Sequence, residues 1–224
     1  MSRRRVILLS AMDVDEQQAD AAGPGEDPGV EPDAKPANKS ARWAWELGSV
    51  VVVAVVIAVL LRTFVIATYS IPSGSMEPTL QIGDRIVVDK LSYHLHGVDR
   101  GNIIVFSTPP NEDCAGPPVA DLVKRVVGLP GETISLSGGN VFINGKLLDQ
   151  SWLPSSEQGK TYPGPSEAPY ALHNSFRIPE GDVYVMGDNR MLSCDSRYWG
   201  PIKESTIVGK VDVRIWPLSH LTLF

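Results

Sequence analysis

The chain has 224 residues, of which 43% are hydrophobic, so it is long enough for one sizeable domain with appendages. Its formal net charge is −6 at pH 7, so the chain has no excess of positive charge, which argues against a nucleic-acid partner. The 20 glycines and 18 prolines favour short strands and many turns over long helices.

The first part of the chain has the composition of an unfolded tail. Residues 11–40 are rich in Asp, Glu, Ala, Gly and Pro and contain no aromatic side chain. Such a segment buries too little apolar surface to offset the entropy lost on ordering, so a disordered tail is predicted over residues 1–44. The basic start is followed by an apolar run too short for a secretory signal, and then by acidic residues. An internal start at Met12 is also compatible with this pattern.

An apolar segment over residues 45–66 is predicted to be a single transmembrane helix. Residues 47–61 carry no charge, and the segment is long enough to cross a hydrocarbon core of about 30 Å. Trp43 and Trp45 stand where interfacial aromatics are found, and Arg62 can extend its charge to the far surface. Two alternatives are a buried core helix and a signal sequence cleaved near residue 67.

Basic residues on the two sides of this segment predict its orientation. Lys35, Lys39 and Arg42 precede it closely, whereas only Arg85 lies within about 20 residues after it. Since cytoplasmic flanks carry the excess of Lys and Arg, the N-terminus is predicted to be cytoplasmic. Residues 67–224 would then form an extracytoplasmic domain attached to the cell membrane by one span.

Most of this domain shows the pattern of short β-strands bounded by turn residues. The runs are residues 85–89, 102–106, 121–127, 132–136, 140–144, 146–148, 183–186 and 207–216. Ser-Gly-Gly over 137–139 and Asn-Gly over 144–145 predict two consecutive hairpins. Residues 151–176 are polar with four prolines and are predicted to be a surface insertion. The fold class is therefore mostly β, an antiparallel barrel or pair of sheets.

Residues 70–80 contain a candidate nucleophile. Pro72 and Pro78 keep this segment out of a regular helix, and Gly74 allows close backbone approach. A segment of this kind can present the Ser75 hydroxyl beside backbone N–H groups, as a serine nucleophile with an oxyanion hole requires. An ordinary loop has the same composition, so this motif alone does not distinguish a catalytic serine from a serine in a loop.

Lys124 and Arg125 lie within an otherwise apolar strand. Because strand side chains alternate between faces, one of the two cations must point toward the interior or into a groove. Apolar surroundings lower the pKa of a lysine, which would make it a candidate base. The alternative is that both residues protect an exposed sheet edge from pairing.

Residues 187–197 are dense in polar side chains and follow a predicted strand. Asp188, Asn189, Asp195 and Arg197 are expected to form a hydrogen-bonded network, with Ser193 available to orient a neighbour. The segment lacks the spacing of a calcium loop, and no His and Cys cluster has zinc spacing, so no metal or cofactor is predicted. With no plausible Ser-His-Asp arrangement, lysine becomes the favoured base.

Three motifs in this order resemble those of bacterial type I signal peptidases, membrane-anchored serine proteases that remove signal peptides from exported proteins. Residues 72–80, Pro-Ser-Gly-Ser-Met-Glu-Pro-Thr-Leu, resemble the nucleophile motif. Residues 124–132, Lys-Arg-Val-Val-Gly-Leu-Pro-Gly-Glu, resemble the motif with the general-base lysine, and residues 187–197 resemble the last motif. The resemblance covers roughly residues 45–215. It departs from the usual pattern at Cys194, where a small residue is more common.

The resemblance implies a role for each matching residue. Ser75 would be the nucleophile and Lys124 the general base, with the Ser75 N–H and the Ser73 hydroxyl holding the oxyanion. Ser193 would orient the lysine amine. Asp195 and Arg197 would brace the site. Met76 would help to shape the pockets that bind the small residues of an Ala-x-Ala sequence. The implied partners are signal-peptide-bearing preproteins and the lipid bilayer.

Three other functions share some of these features. A self-cleaving repressor of the same Ser-Lys fold would be soluble and carry a DNA-binding domain. A penicillin-binding protein needs Ser-x-x-Lys, whereas Ser75 is followed by Met-Glu-Pro. A membrane-tethered binding domain explains the anchor and strands, but not a lysine inside an apolar strand.

Cys114 and Cys194 are the two cysteines of the chain, and both follow the predicted span. An extracytoplasmic location favours pairing of thiols, so a disulfide between them is predicted. Two buried free thiols are the alternative. The sequence contains no signal for an oligomeric state.

Overall fold

The structure is a computed structural model that describes residues 39–114 and 119–224, with side chains from residue 42 onward. The tail predicted over residues 1–44 therefore lies largely outside the described residues. The chain divides into two compact units, residues 1–46 and 47–224. The second unit contains every motif discussed above.

One long helix precedes the β-structure. Helix α1 spans Lys39–Phe64, and within the described residues its part Arg42–Phe64 is the one candidate membrane span by length and composition. The apolar side chains of this part are exposed, which argues against a buried core helix. The helix ends at Phe64, two residues before the predicted end of the span. Ile66 already belongs to a strand, because it pairs with Asp89 of the next one.

Twelve strands follow within the described residues. They are β1 (Ile66–Ser70), β2 (Arg85–Asp89), β3 (Ile103–Ser107), β4 (Asp121–Gly128), β5 (Thr133–Ser137), β6 (Asn140–Ile143), β7 (Lys146–Leu147), β8 (Phe176–Arg177), β9 (Asp182–Met186), β10 (Ile202–Lys203), β11 (Ile207–Trp216) and β12 (Thr222–Leu223). Two short helices are α2 (Ser92–Leu95) and α3 (Ser196–Trp199). Strands β1, β8, β10 and β12 were not predicted, because β1 begins inside the segment predicted as the span and the other three have only two residues each.

The strands form two antiparallel sheets. The large sheet has the order β1-β2-β11-β3-β4-β9-β10, with β12 paired to β11, and the small sheet has the order β7-β6-β5-β8. The prediction of a mostly antiparallel β-fold with one N-terminal apolar helix is confirmed. Both hairpins of the small sheet form as predicted, and Asn144 and Gly145 adopt φ of 51° and 76° at the second turn. These positive angles explain the Asn-Gly pair.

Strand β4 lies between two of the hydrophobic clusters because its side chains alternate between faces. Val123 packs against one cluster, whereas Leu122 and Val126 belong to the other. The first cluster contains Ile71, Met76, Leu80, Ile86, Val88, Ile103, Val105 and Val211. The segment between β1 and β2 contributes three of these residues, so it is fastened to the sheet on both sides of Ser75.

The region predicted to be a surface insertion, residues 151–176, is partly buried. Leu153, Thr161 and Leu172 are almost inaccessible to solvent. The carbonyl of Tyr162 accepts a hydrogen bond of 2.6 Å from Arg197 Nη1. Composition suggested a surface loop because most of its residues are polar, whereas its backbone and a few apolar anchors pack beneath the last motif.

Candidate active site

The candidate nucleophile lies in a single 3₁₀ turn, Gly74–Met76, between β1 and β2. Asn189 holds this turn from the opposite side. Its backbone N–H donates to the Ser75 carbonyl at 3.1 Å, and its side-chain amide donates to the Gly74 carbonyl at 3.2 Å. Two hydrogen bonds from one residue fix the backbone beneath the serine hydroxyl. The turn is therefore rigidly placed although it belongs to a loop.

Lys124 lies directly beside this serine. Strand β4 carries the lysine, whose Nζ is 2.6 Å from Ser75 Oγ. The lysine is 3% exposed, so most of its length is enclosed by protein. Ser73 is on the same side of the turn, and its hydroxyl oxygen is 3.5 Å from that of Ser75. The structure thus brings together three residues from two distant parts of the chain.

Burial lowers the pKa of Lys124 to about 8. The charge of Asp195 opposes this effect, the charge of Arg197 adds to it, and Glu112 and Asp188 oppose it more weakly. An amine with a pKa near 8 is neutral in roughly one molecule in ten at pH 7, compared with about one in 10³ for an ordinary lysine. The neutral amine can accept the proton of the Ser75 hydroxyl.

The other cation of the strand, Arg125, points to a different partner. Its guanidinium makes a bidentate pair with Asp188, at 2.8 Å from Nε to Oδ1 and 2.6 Å from Nη2 to Oδ2. Thr79 donates a third hydrogen bond of 2.6 Å to the same carboxylate. Asp188 therefore links strand β4 to the segment after the nucleophile. The sequence suggested instead that Asp188 would join the network of Asp195 and Arg197.

Asp195 and Arg197 form a second buried pair. The arginine donates to both carboxylate oxygens, at 2.8 Å and 2.7 Å, and both side chains are fully buried. Burial alone would raise the pKa of Asp195, but the charge and hydrogen bonds of Arg197 outweigh it and lower the pKa. The carboxylate also accepts from the Gly187 N–H at 2.9 Å. This pair braces the backbone on which Asn189 is carried.

Ser193 is buried near the dyad of Ser75 and Lys124, but its recorded hydrogen bond is to a different group. Its hydroxyl donates to the Cys194 carbonyl at 3.4 Å, and within the described residues no hydrogen bond joins it to Lys124. A side chain at Gly187 would collide with the Ser193 hydroxyl and with the Ser75 carbonyl. Gly187 is therefore required because two functional segments approach its backbone.

Cys114 and Cys194 are joined by a disulfide with a Cα–Cα distance of 6.3 Å. The bond links the loop after β3 to the last motif. Glu112, Cys114 and Cys194 form the one group of potential metal ligands among the described residues. Both sulfurs are committed to the disulfide, which leaves one carboxylate and no thiolate for a metal.

A cavity of about 530 Å³ opens above Ser75 and Lys124. One wall is the segment from Tyr69 to Glu77, and another is the first half of β4, residues 121–124. Met76 also lines the cavity, but it is 1% exposed and belongs chiefly to the first hydrophobic cluster. Its side chain thus supports the floor of the cavity from below.

Some residues of the site make contacts that no pattern in the sequence predicts. Asn189 was expected in a polar network, whereas it holds the backbone of the serine turn. The sequence gives no indication of the contact that Thr79 makes, because a threonine after Glu-Pro has no pattern that predicts a partner 109 positions away. Arg190 is 1% exposed and donates to the Gly187 carbonyl and to Thr161. Such contacts depend on which segments the fold brings together.

Comparison with known proteins finds one matching family and several similar proteins. Residues 44–216 match the family described as signal peptidase, peptidase S26. The chain is 38% identical over 179 residues to a probable signal peptidase I-2 of Synechocystis sp., covering 80% of this chain and 76% of that one. It is 38% identical over 185 residues to signal peptidase I of Bacillus caldolyticus, covering 81% of this chain and 93% of that one.

A solved signal peptidase I from Enterococcus faecalis is 30% identical, with a TM-score of 0.38, and covers 51% of this chain and 97% of its own. The match of one family over residues 44–216 confirms the resemblance drawn from the three sequence motifs. The chain belongs to the signal peptidase family, peptidase S26.

Proposed function

We propose that this protein is a membrane-anchored serine endopeptidase that removes signal peptides from exported preproteins by cleavage after small residues of the Ala-x-Ala type. The observation that carries the proposal is the 2.6 Å contact between Lys124 Nζ and Ser75 Oγ, made by a lysine that is 3% exposed. Its family membership and the names of its relatives as signal peptidases support the same function.

In the first half of the reaction, neutral Lys124 takes the proton of Ser75 as Oγ bonds to the scissile carbonyl carbon. The electron pair of the carbonyl moves to its oxygen, and the Ser75 N–H and the Ser73 hydroxyl donate to that oxyanion. When the C–N bond breaks, protonated Lys124 gives its proton to the leaving amine. An ester on Ser75 and a free N-terminus of the mature protein result.

In the second half, water replaces the leaving amine. Lys124 takes a proton from the water as its oxygen attacks the ester carbon, and then returns a proton to Ser75 Oγ as the ester bond breaks. One base therefore serves both steps, and no metal or cofactor is needed. Ser193 remains a predicted orienting residue for the lysine amine.

The substrate would bind as an extended strand in the cavity above Ser75. Its backbone would pair with the edge of β4 in the manner of β-augmentation, with side chains pointing alternately into and out of the cavity. Ile71, a member of the first cluster, and Val123, which packs against that cluster, both line the cavity, where these apolar walls would restrict the substrate to small side chains. This arrangement would favour alanine at alternate positions, with Met76 supporting the floor.

The localisation follows from the candidate span and the charges around it. Lys39 and Arg42 stand at the N-terminal end of α1, and this positive charge supports a cytoplasmic N-terminus with the β-domain outside. Strand β1 begins at Ile66, immediately after the helix ends at Phe64. The catalytic groups would then act close to the membrane, where a signal peptide emerges.

Incubation of the full chain, in detergent, with a purified preprotein tests the proposal. Cleavage at the predicted Ala-x-Ala site by the wild type, and none by Ser75→Ala at equal concentration, is the expected result. N-terminal sequencing of the product identifies the bond. An intact precursor with folded wild-type protein at high concentration would refute the proposal and favour a binding domain.

A further inference from the structure

The cavity that contains Ser75 has an excess of acidic side chains. Among the described residues that line it, the charged ones are Glu77, Glu112, Asp121 and Lys124, so carboxylates outnumber cations three to one. The lysine, whose pKa burial lowers to about 8, is only partly charged near that pH. The wall of the cavity is therefore negative, and a positively charged group would be attracted to it.

One of these acids, Glu77, lies against the turn that carries the nucleophile. Its backbone N–H donates to the Gly74 carbonyl at 3.1 Å, which closes the 3₁₀ turn Gly74–Met76. A Cβ atom at position 74 would lie 3.1 Å from Cδ of Glu77 and 3.2 Å from both of its carboxylate oxygens. Glycine at position 74 thus leaves room for a half-buried carboxylate beside the residue that precedes Ser75.

The Glu77 carboxylate differs from the buried aspartates of this region, because each of those has an arginine partner. These pairs are Asp84–Arg214, Asp188–Arg125 and Asp195–Arg197. In the part of the chain that the structure describes, the Glu77 carboxylate takes part in no hydrogen bond and no ion pair. The fold itself therefore leaves this charge available to a molecule that enters the cavity.

The other two acids of the cavity lie elsewhere. Glu112 accepts a hydrogen bond of 3.2 Å from the Cys114 N–H, beside the disulfide. Asp121 begins β4 and lies three residues before Lys124, or about 10 Å at 3.3 Å per residue. Glu77 is thus the acid at the end of the nucleophile's own turn.

The position of Glu77 along the cavity indicates which part of a substrate it would meet. One wall runs from Tyr69 to Glu77, so Ser75 lies near one end of it. The part of this wall before Ser75 continues β1, and with β4 it would hold the extended residues that precede the scissile bond. Glu77 lies on the other side of Ser75 along the chain, where the residues after the scissile bond would leave the cavity.

We propose that Glu77 is a specificity-determining residue, whose carboxylate favours preproteins with Lys or Arg in the first residues after the scissile bond and disfavours Asp or Glu there. This inference rests on the proposed peptidase function. A cationic side chain would pair with a carboxylate that has no other partner, whereas an acidic one would meet a like charge. Because this interaction is made on binding and not at the reacting atoms, it acts chiefly on KM.

The test measures kcat/KM of the full chain, in non-ionic detergent, on internally quenched peptides that share one Ala-x-Ala site. Each peptide has Lys, Gln or Glu at one of the two positions after the scissile bond. For the wild type we expect the Lys peptide to exceed the Gln peptide about threefold and the Glu peptide about tenfold at one of these positions. Salt at about 0.5 M should reduce both ratios, because it screens a partly exposed pair.

Two variants assign the preference to this carboxylate. Glu77→Gln keeps the shape of the side chain without its charge and should bring both ratios close to one. Glu77→Lys should invert them, so that the Glu peptide becomes the better substrate. Because the peptides are compared within one variant, a general loss of activity does not change the ratios.

Glu167→Gln is the matched control, since it removes the same charge from an exposed position outside the cavity and should keep the wild-type ratios. Equal kcat/KM for the Lys and Glu peptides in the wild type would overturn the inference. So would ratios that persist in Glu77→Gln, or that Glu112→Gln abolishes instead. A wild type that cleaves none of the peptides would refute the peptidase function, so the two failures are distinguishable.

Discussion

At the residue scale, the site depends on one buried amine. Lys124 lies on a strand whose neighbouring side chains belong to hydrophobic clusters, and the same burial that lowers its pKa makes it useful as a base. Arg125, one position later, is satisfied by a bidentate carboxylate and stays charged. One of two adjacent cations is thus a candidate base and the other is a member of an ion pair, because the side chains of successive strand residues point to different faces.

Replacement of Lys124 by arginine tests the base directly. We expect Lys124→Arg to lower kcat by about 10²- to 10⁴-fold, because a guanidinium stays protonated and cannot accept the serine proton. Lys146→Arg, at an exposed position of β7, is the matched control and should keep wild-type kcat. Peptide cleavage under single-turnover conditions provides the measurement. Substantial activity in Lys124→Arg would exclude this mechanism and redirect the search for a base to His94, His96 or His173.

The pKa of about 8 also predicts the pH profile of the wild type. In the proposed mechanism the neutral amine is the active form, so kcat/KM should rise with pH and level off above about 8. Substitution of His94, His96 or His173 should leave this rise with pH in place, because the proposed mechanism assigns it to Lys124 alone. Loss of the rise of kcat/KM with pH in a histidine variant would contradict the assignment of Lys124 as the base.

The same shift predicts a stability cost of the functional residue. Because the folded-state pKa lies below the unfolded value, the buried cation destabilises the fold below pH 8, and this cost is relieved as pH rises from about 8 to 10.5. Lys124→Met should therefore raise the free energy of unfolding at pH 7 by about 2–3 kcal/mol. Urea unfolding at pH 7 and pH 10 measures the difference in free energy of unfolding between Lys124→Met and wild type. The variant should be more stable at pH 7, and the difference should be smaller at pH 10. A destabilised Lys124→Met at pH 7 would contradict it.

At the element scale, three segments far apart in the chain form the site. The serine turn follows β1, the lysine lies on β4, and Asn189 belongs to the segment between β9 and α3. One buried ion pair, Arg125 with Asp188, connects β4 to the last motif, and a second, Asp195 with Arg197, braces that motif internally. Removing one member of such a pair leaves a buried charge, which is why these connections act as a unit.

The disulfide adds a covalent connection between two of these elements. Cys114 and Cys194 are 80 positions apart, so in the chain-entropy model their bond stabilises the fold by about 4 kcal/mol. A double Cys→Ala variant should lose stability of this order in denaturant unfolding. Addition of reductant should destabilise the wild type but not the variant. Two titratable thiols in unreduced, denatured wild type would contradict the pairing.

At the scale of the whole molecule, the candidate span and the β-domain follow each other almost without a linker. Helix α1 ends at Phe64 and β1 begins at Ile66, while Lys90 Nζ donates to the Thr63 carbonyl at 3.1 Å. The serine turn follows β1 directly, with Ile71 packed in the first cluster. This short path restricts how far the cavity can lie from the end of the helix.

Removal of the helix should therefore affect membrane-inserted substrates selectively. A chain that begins at Val65 retains all of β1, and we expect it to cleave a soluble peptide at a rate within about twofold of the full chain. On a precursor inserted in vesicles it should be at least about tenfold slower, because it loses the effective concentration that a shared membrane provides. Equal rates on the inserted precursor would show that proximity does not matter.

Much of the architecture was determined by the sequence itself. Alternating β-branched runs between turn residues predicted eight of the strands to within about a residue, since alternation and Asn-Gly turns are local properties. The long uncharged run predicted the helix, although its end was placed two residues late. Motif order pointed to Ser75 and Lys124 as partners. Neither strand pattern alone would have shown that these two groups lie 2.6 Å apart.

Only the tertiary structure decided how the polar residues divide among partners. From the sequence, Asp188, Asn189, Asp195 and Arg197 formed one network, whereas the fold separates them into two ion pairs and a backbone contact. It also buries part of residues 151–176 against the last motif. Hydrogen bonds and ion pairs depend on distances of a few ångströms between segments far apart in the chain. The local sequence pattern predicts where each strand lies, because side chains alternate along it. Which strands face each other is determined only by the order of the strands in the sheets.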